Sequence, residues 1–265
     1  MLPNFIIIGG QRCATGWIAQ CLRDHPEIFM AQDETRFFDW NFSNGTGWWE
    51  NNYFHSIHNE TVIGEKTANY LTDENAPQRI HDTLPHAKII CCVRNPVERL
   101  YSAYMMKASR NPELKRLTLE KLIQAEPDLL ERGRYSKHLK RYYRLLPKKN
   151  ILTLLYDDKQ LNPLQFIKSI YKFLGVNSNF KPKSLNMQTK PGARENKHKL
   201  ITALSKKLLN NRSPFRKIYS ALRTPSSPPN PWTAEEIVFL HETYNEEIIN
   251  LEQLIGKNLS GWNNS

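Results

Sequence analysis

What this sequence lacks narrows it first. The N-terminus, MLPNFIIIGGQR, has no basic leader, and its apolar run is far too short for a signal peptide or a membrane span. There are four cysteines, Cys13, Cys21, Cys91 and Cys92, and none has zinc-finger spacing. Free buried thiols in a reducing compartment are expected, with a disulfide framework as the weaker alternative. No internal repeat is found. No helix-turn-helix, zinc-finger or RNA-binding signature occurs. These absences point to a soluble, cytoplasmic protein with no stable membrane insertion and no nucleic-acid partner.

One further absence is chemical. A nucleotide loop of the form GxxxxGK(S/T) needs lysine after its second glycine, but Gly16 is followed by Trp17. The next strong strand ends in Arg94, where an aspartate would often support magnesium. A metal-dependent kinase or NTPase therefore loses ground.

What is present suits an anionic ligand. The chain has 265 residues, 40% of them hydrophobic, and a net charge of +11. That size suffices for one large domain or two small ones, and the charge favours an anionic partner, whether phosphorylated nucleotide, nucleic acid, acidic glycan or membrane surface. Residues 181–223 are strongly basic, and the Pro-rich stretch TPSSPPNPW follows.

Short β-branched runs alternate with amphipathic helices. FIII ends at Gly9-Gly10 and reads as a buried strand, with a helix from Thr15 or Gly16 to Leu22. A second short strand falls near residues 61–64. Residues 88–93 form the clearest strand, closed by Asn95-Pro96, and Pro96 suits a helix's first turn. Residues 110–117 read as a loop. YSKHLKRYYRLL is a basic amphipathic helix, NILTLLYDD a strand, and PLQFIKSIYKFLG a helix with Gly175 at its end. An acidic helix over residues 233–255 carries an apolar stripe. The pattern predicts an α/β fold with a central, mostly parallel sheet flanked by helices.

Two anion sites are expected. The first is the loop after the first strand, where Gly9 and Gly10 permit close backbone approach and Arg12 adds a fixed charge beside a helix N-terminus. The second is VRNPVERLYSAY, with Arg94 at a strand's carboxyl end and Ser102 in the following helix. Arg99 lies one turn before Ser102 in the same segment, with pairing to Glu98 or Asp82 on a solvated face as the alternative.

With these residues in place, the sequence resembles the sulfotransferase family that uses 3′-phosphoadenosine-5′-phosphosulfate (PAPS). RCATGWI stands where the family has K-S/C-G-T-T-W/S-L: Arg12 replaces Lys, Ala14 replaces Gly and Gly16 replaces the second Thr, while Thr15 and Trp17 match. Arg94 and Ser102 match its R-x7-S motif. HPEIFMAQDETRFF resembles HPxIFxxxKExxFF of carbohydrate-type and bacterial members, and IGEKTANYL resembles GEKSPxYL. NILTLLYDD and LEQLIGKNLSGW also resemble family features, so the likeness spans nearly the whole chain.

The resemblance implies a P-loop-like three-layer fold, with residues 1–265 as a single domain. It implies PAPS as co-substrate with no metal, and an acceptor hydroxyl, expected on a sugar. Gln11, Arg12, Cys13, Ala14, Thr15, Gly16 and Trp17 would hold the donor's 5′ end, with Trp17 stacking on adenine. Arg94 and Ser102 would hold its 3′-phosphate, with further contacts from Tyr135 and Arg194. Glu34 would be the general base, and the adjoining Asp33 would raise its pKa. Lys66, oriented by Glu65, would face the sulfuryl group, and Arg12 the bridging oxygen. Trp48, Trp49 and Tyr53 would line the acceptor pocket. The alternatives are a magnesium-dependent phosphotransferase or a non-catalytic polyanion-binding protein.

Overall fold

A computed structural model describes residues 1–187 and 232–262. Its elements run β1 (Phe5–Gly9), α1 (Thr15–Arg23), β2 (Ile28–Met30), α2 (Gly45–Tyr53), β3 (Val62–Lys66), α3 (Ala76–Thr83), β4 (Lys88–Val93) and α4 (Pro96–Arg110). Then come α5 (Leu119–Ala125), α6 (Asp128–Glu131), α7 (Tyr135–Leu145), β5 (Ile151–Leu155), α8 (Tyr156–Leu161), α9 (Pro163–Leu174) and α10 (Ala234–Ile255).

The five strands form one parallel sheet in the order β2-β3-β1-β4-β5. Every β1 residue is buried. Cys91 and Cys92 are neighbours on a strand, so their side chains leave opposite faces. Both are fully buried, so helices cover the sheet on both sides there. All four cysteines are free. The chain leaves β1 towards β2 and leaves β4 towards β5, on opposite sides. The crevice between the carboxyl ends of β1 and β4 is thus the switch point where parallel sheets hold ligands.

Local chemistry explains most boundaries. Asn95 caps α4, accepting from the Val97 and Glu98 amides, with Pro96 in the first turn. Gly175 ends α9 in the left-handed region at φ 86°. Thr233 and Glu236 form a capping box on α10, whose Leu240, Tyr244, Ile248 and Leu251 are buried. The expected loop at residues 110–117 is in fact a 3-10 turn over Pro112–Arg116, capped by Asn111. That turn has no 3.6-residue period to read. β2 was not anticipated, because three residues are too few for a pattern.

α10 packs on α7 and α4. Its Glu247 accepts a hydrogen bond from the Ser136 amide in the first turn of α7, and Tyr244 donates to the Leu130 carbonyl at 2.7 Å. Further on, the Trp262 carbonyl accepts from the Asn95 side chain at 3.0 Å, and its indole donates to Asp157 at 2.7 Å. Among the described residues, no helix is long and apolar enough to cross a membrane. Arg194, most of the basic stretch and TPSSPPNP lie outside the described residues.

Gly64 pairs with Phe5 across β3 and β1, and a Cβ there would lie 2.0 Å from the Phe5 ring. Gly64→Ala is therefore expected to destabilise the fold by about 1–3 kcal/mol through overpacking. Chemical denaturation measures this directly, and an unchanged midpoint would refute the packing argument.

Candidate active site

The loop after β1 is shaped by crowding. A Cβ on Gly9 would sit 2.8 Å from the Leu71 Cβ, so no larger residue fits where the strand stops. The Gly10 amide then donates to the Cys92 carbonyl at 2.7 Å, tying the loop to β4. Arg12 and Ala14 both adopt left-handed φ, at 68° and 60°. Cys13 between them points into the core and meets the Tyr135 hydroxyl at 3.7 Å. Burial pushes its thiol up to about 11, against a smaller lowering by Tyr135, so it stays protonated and is no nucleophile.

α1 starts at Thr15 with no capping side chain, because Ala14 occupies the cap. Gly16 is exposed, and a Cβ on it would meet nothing within 4 Å. A helix N-terminus without a capping side chain, facing open space beside an arginine, fits a phosphate-bearing ligand.

The two arginines of the expected anion sites converge on α4. Arg12 Nε donates to Ser102 Oγ at 3.0 Å, and Nη1 reaches Met106 Sδ, one turn on, at 3.7 Å. Arg12 and Ser102 were expected at opposite ends of the donor; here they meet directly. Arg94 pairs with Glu98 at 2.9 Å and lies over the Tyr156 ring at 4.6 Å. Burial works against the Arg94 charge, but Glu98 and Tyr156 outweigh it and its pKa rises. Arg99 is not on a solvated face. It is fully buried and donates to the Leu129 carbonyl, because it lies on the inward face of α4.

On the other flank of β1, Lys66 Nζ lies 2.5 Å from Glu34 Oε1. Both side chains are half-buried. The Ala68 amide approaches the same oxygen at 3.5 Å, and Arg36 Nη2 is 3.6 Å from Oε2. Lys66 pairs in register with Ile7 of β1, so this pair stands beside the Arg12 loop at the sheet's carboxyl edge. Asp33 is exposed, and its charge acts on Arg23. The contacts that Glu34 makes are with Lys66, Arg36 and the Ala68 amide, not with Asp33.

Glu65 does not orient Lys66. Strand alternation sends its side chain to the opposite face, where it is fully buried. Thr67 donates to its Oε2 at 2.9 Å, and Oε1 has no hydrogen-bond partner. Burial raises its pKa to about 7, with smaller lowering by nearby hydroxyls.

Two expected ligand contacts are core residues. Trp17 is 1% exposed, tilts on Phe166 and donates to the Leu185 carbonyl at 3.3 Å, so it presents no open face to an adenine. Tyr135 is also buried and supports Cys13 from beneath. Both rings sit on the apolar stripes of their helices, and burial of a large aromatic decides their direction. Trp49 is likewise core, stacked on Phe37 at 4.3 Å. Trp48 and Tyr53 are half-buried and pack edge-on against each other. One residue was missed. Arg36, at φ 49°, reaches Glu34 and also lies 3.8 Å over the ring of Trp40, which is 71% exposed. The signal was an arginine two residues after the candidate base.

The model of the sulfotransferase domain matches residues 2–218. The chain belongs to the sulfotransferase family. Among curated sulfotransferases, it is 34% identical over 138 residues to the membrane-associated sulfotransferase kil1 of Dictyostelium discoideum, covering 49% of this chain and 29% of that protein. It is 29% identical over 182 residues to human heparan sulfate glucosamine 3-O-sulfotransferase 3B1, covering 66% and 46% respectively. The matched region thus spans less than half the length of these relatives. In fold, it superposes on a sulfotransferase from Alicyclobacillus acidocaldarius with TM-score 0.71 and 23% identity, covering 99% of both chains. Mouse sulfotransferase SULT7A1 complexed with PAP gives TM-score 0.55 and 17% identity, covering 93% of this chain and 84% of that one.

The buried carboxyl makes a pH prediction. With its folded pKa raised, Glu65 favours the fold while protonated and loses that contribution as pH climbs through about 7. Wild-type stability should therefore fall relative to Glu65→Gln between about pH 5 and 8, by on the order of 3 kcal/mol. Parallel stability–pH curves for the two proteins would refute it. At Ala14, the left-handed backbone costs about 1 kcal/mol that glycine avoids, less glycine's larger unfolded-state entropy. Ala14→Gly should leave the melting temperature level or raised, and a clear drop would count against that strain.

Proposed function

We propose that this sulfotransferase-family chain moves the sulfuryl group from PAPS to an acceptor hydroxyl, with Glu34 as the general base. The observation that carries the reading is the Lys66–Glu34 pair at the end of β3, beside the Arg12 loop at the end of β1. We read the chain as one sulfotransferase domain.

The roles follow from chemistry. Transfer requires the acceptor hydroxyl to lose its proton, to be held in line, and to have the leaving oxygen's charge stabilised. Glu34 is half-buried at the edge of the site, and its second carboxylate oxygen lies 3.6 Å from Arg36. Lys66 orients the Glu34 carboxylate through their 2.5 Å contact and carries positive charge to where the sulfuryl group would sit. The uncapped first turn of α1 and Arg12 would receive the donor's 5′ end. Arg12 acts by fixed charge and hydrogen bonds, since a guanidinium does not give up its proton. Arg94 and Ser102 would receive the 3′-phosphate. Donor binding would then exchange the Arg12–Ser102 and Arg94–Glu98 contacts for phosphate oxygens.

A sugar acceptor is the reading we favour. Several curated relatives are named for heparan sulfate glucosamine, and Trp40, Trp48 and Tyr53 supply aromatic surface near Glu34 in sequence. The protein is read as acting without a metal, in the cytoplasm.

Differential scanning against 3′-phosphoadenosine-5′-phosphate (PAP) and against ATP with magnesium tests the donor. PAP alone should stabilise the protein; stabilisation by ATP–magnesium alone would instead support a phosphotransferase. Glu34→Gln should lower kcat by about 10²–10⁴-fold with PAP affinity retained. Arg12→Ala should lower it by about 10²–10³-fold, while Arg12→Lys keeps substantial turnover. Wild-type rates in Arg12→Ala or Glu34→Gln would remove those assignments.

A further inference from the structure

The turn that carries Glu34 is gripped from behind by hydroxyls. Three successive amides following it donate to side-chain oxygens: Arg36 N to Thr67 Oγ1 at 3.2 Å, Phe37 N to Thr35 Oγ1 at 3.3 Å, and Phe38 N to Tyr70 Oη at 3.1 Å. The Thr35 and Tyr70 hydroxyls meet each other at 3.3 Å. Thr67 in turn donates to Glu65 Oε2, and Tyr142 of α7 anchors the Tyr70 carbonyl at 2.8 Å. Thr35, Glu65, Thr67 and Tyr70 are all essentially buried.

The direction of these bonds matters. A hydroxyl has one proton and two lone pairs. Thr67 gives its proton to Glu65, which leaves its lone pairs for the Arg36 amide. Arg36 needs that hold, because it sits at φ 49°, a region unfavourable to any residue with a Cβ. Two separate pieces of backbone must meet for Glu34 to reach Lys66: the end of β3 and residues 34–38. The bond from Glu65 through Thr67 to the Arg36 amide joins them beside the Phe38–Tyr70 bond, and it is the link nearest Lys66.

We propose that Glu65 and Thr67 are positioning residues that set Glu34 against Lys66, acting through the hydroxyl-to-amide bonds to residues 36–38. The proposal rests on Glu34 being the base. It goes beyond that reading by giving a function to a buried acid on the far face of β3. The charged group acting on Glu65 is Glu34; its other polar neighbours are the neutral hydroxyls of Thr67, Tyr70 and Thr35. Among the described residues that act on Glu65 there is no cation, and the carboxyl serves as the acceptor that orients Thr67.

The experiment compares Thr67→Val, Thr67→Ser and Glu65→Gln with wild type. Thr67→Val keeps the shape and removes the hydroxyl. It should lower kcat about tenfold or more, while the KM for PAPS and the Kd for PAP stay within about twofold. Thr67→Ser should recover most of that loss. Glu65→Gln keeps an acceptor for Thr67 but brings an amide donor against Tyr70 and Thr35; it should lower kcat and change the pH profile around neutrality. Hydrogen exchange of the peptide covering residues 34–41 gives a readout independent of turnover. It should speed up about tenfold or more in Thr67→Val and return towards wild type in Thr67→Ser. If wild type transfers no sulfuryl group, the functional reading fails and the exchange rates alone judge the turn's attachment. Wild-type kcat and exchange in Thr67→Val, or equal losses in the Val and Ser variants, would overturn the proposal.

Discussion

β1 is hydrogen-bonded along both edges, and the whole site is positioned by where it stops. Gly9 ends the strand against Leu71 with no room for a side chain. The next amide bonds to β4 and not to another turn of loop. From that point the chain has one short path to the N-terminus of α1. The neighbours inherit the same origin: Lys66 is level with Ile7, and Cys91 is level with Gly9. Parallel pairing therefore brings the ends of β3, β1 and β4 to one rim without any contact among their side chains being required.

The cations along that rim are each engaged by an oxygen of the chain itself. Lys66 has Glu34, Arg12 has Ser102, and Arg94 has Glu98. The partners differ in a way that suits their positions. A compact ammonium meets one carboxylate oxygen, whereas the planar guanidinium of Arg94 is held by a carboxylate on its edge and by an aromatic face. The charged pairs among them are partly buried. Their value lies in holding charged groups in defined rotamers before an anionic ligand arrives.

Much of this was legible in the sequence because the sheet is parallel and doubly covered. Short β-branched runs separated by amphipathic helices leave few alternatives, and the β4 boundaries were readable to the residue. Glu34 and Lys66 were found through the family likeness and not from their local pattern, since a polar turn and a strand-end lysine are ordinary features. Aromatic residues were the hardest to place from sequence. Trp17 and Tyr135 border the loop in sequence, and that proximity suggested ligand contact. Yet Tyr135, Leu139 and Tyr142 share a helix face at 3.6-residue spacing, and that face is buried. Glu65 was assigned to its sequence neighbour although strand alternation sends the two side chains apart. Arg99 gave no signal at all: nothing in a run of mixed charges marks which arginine turns inward.

The last described helix has a temporal consequence. The Ser136 amide, in the first turn of the helix that supports the Arg12 loop, finds its acceptor in Glu247. The Asn95 side chain, next to Arg94, finds its acceptor in the Trp262 carbonyl. During synthesis these partners leave the ribosome long after the sheet is complete. Until they arrive, the Ser136 amide and the Asn95 side chain have only water as partner in these two bonds. The supports of the site are thus drawn from residues far apart in the chain, and the last of them lie in and just beyond α10.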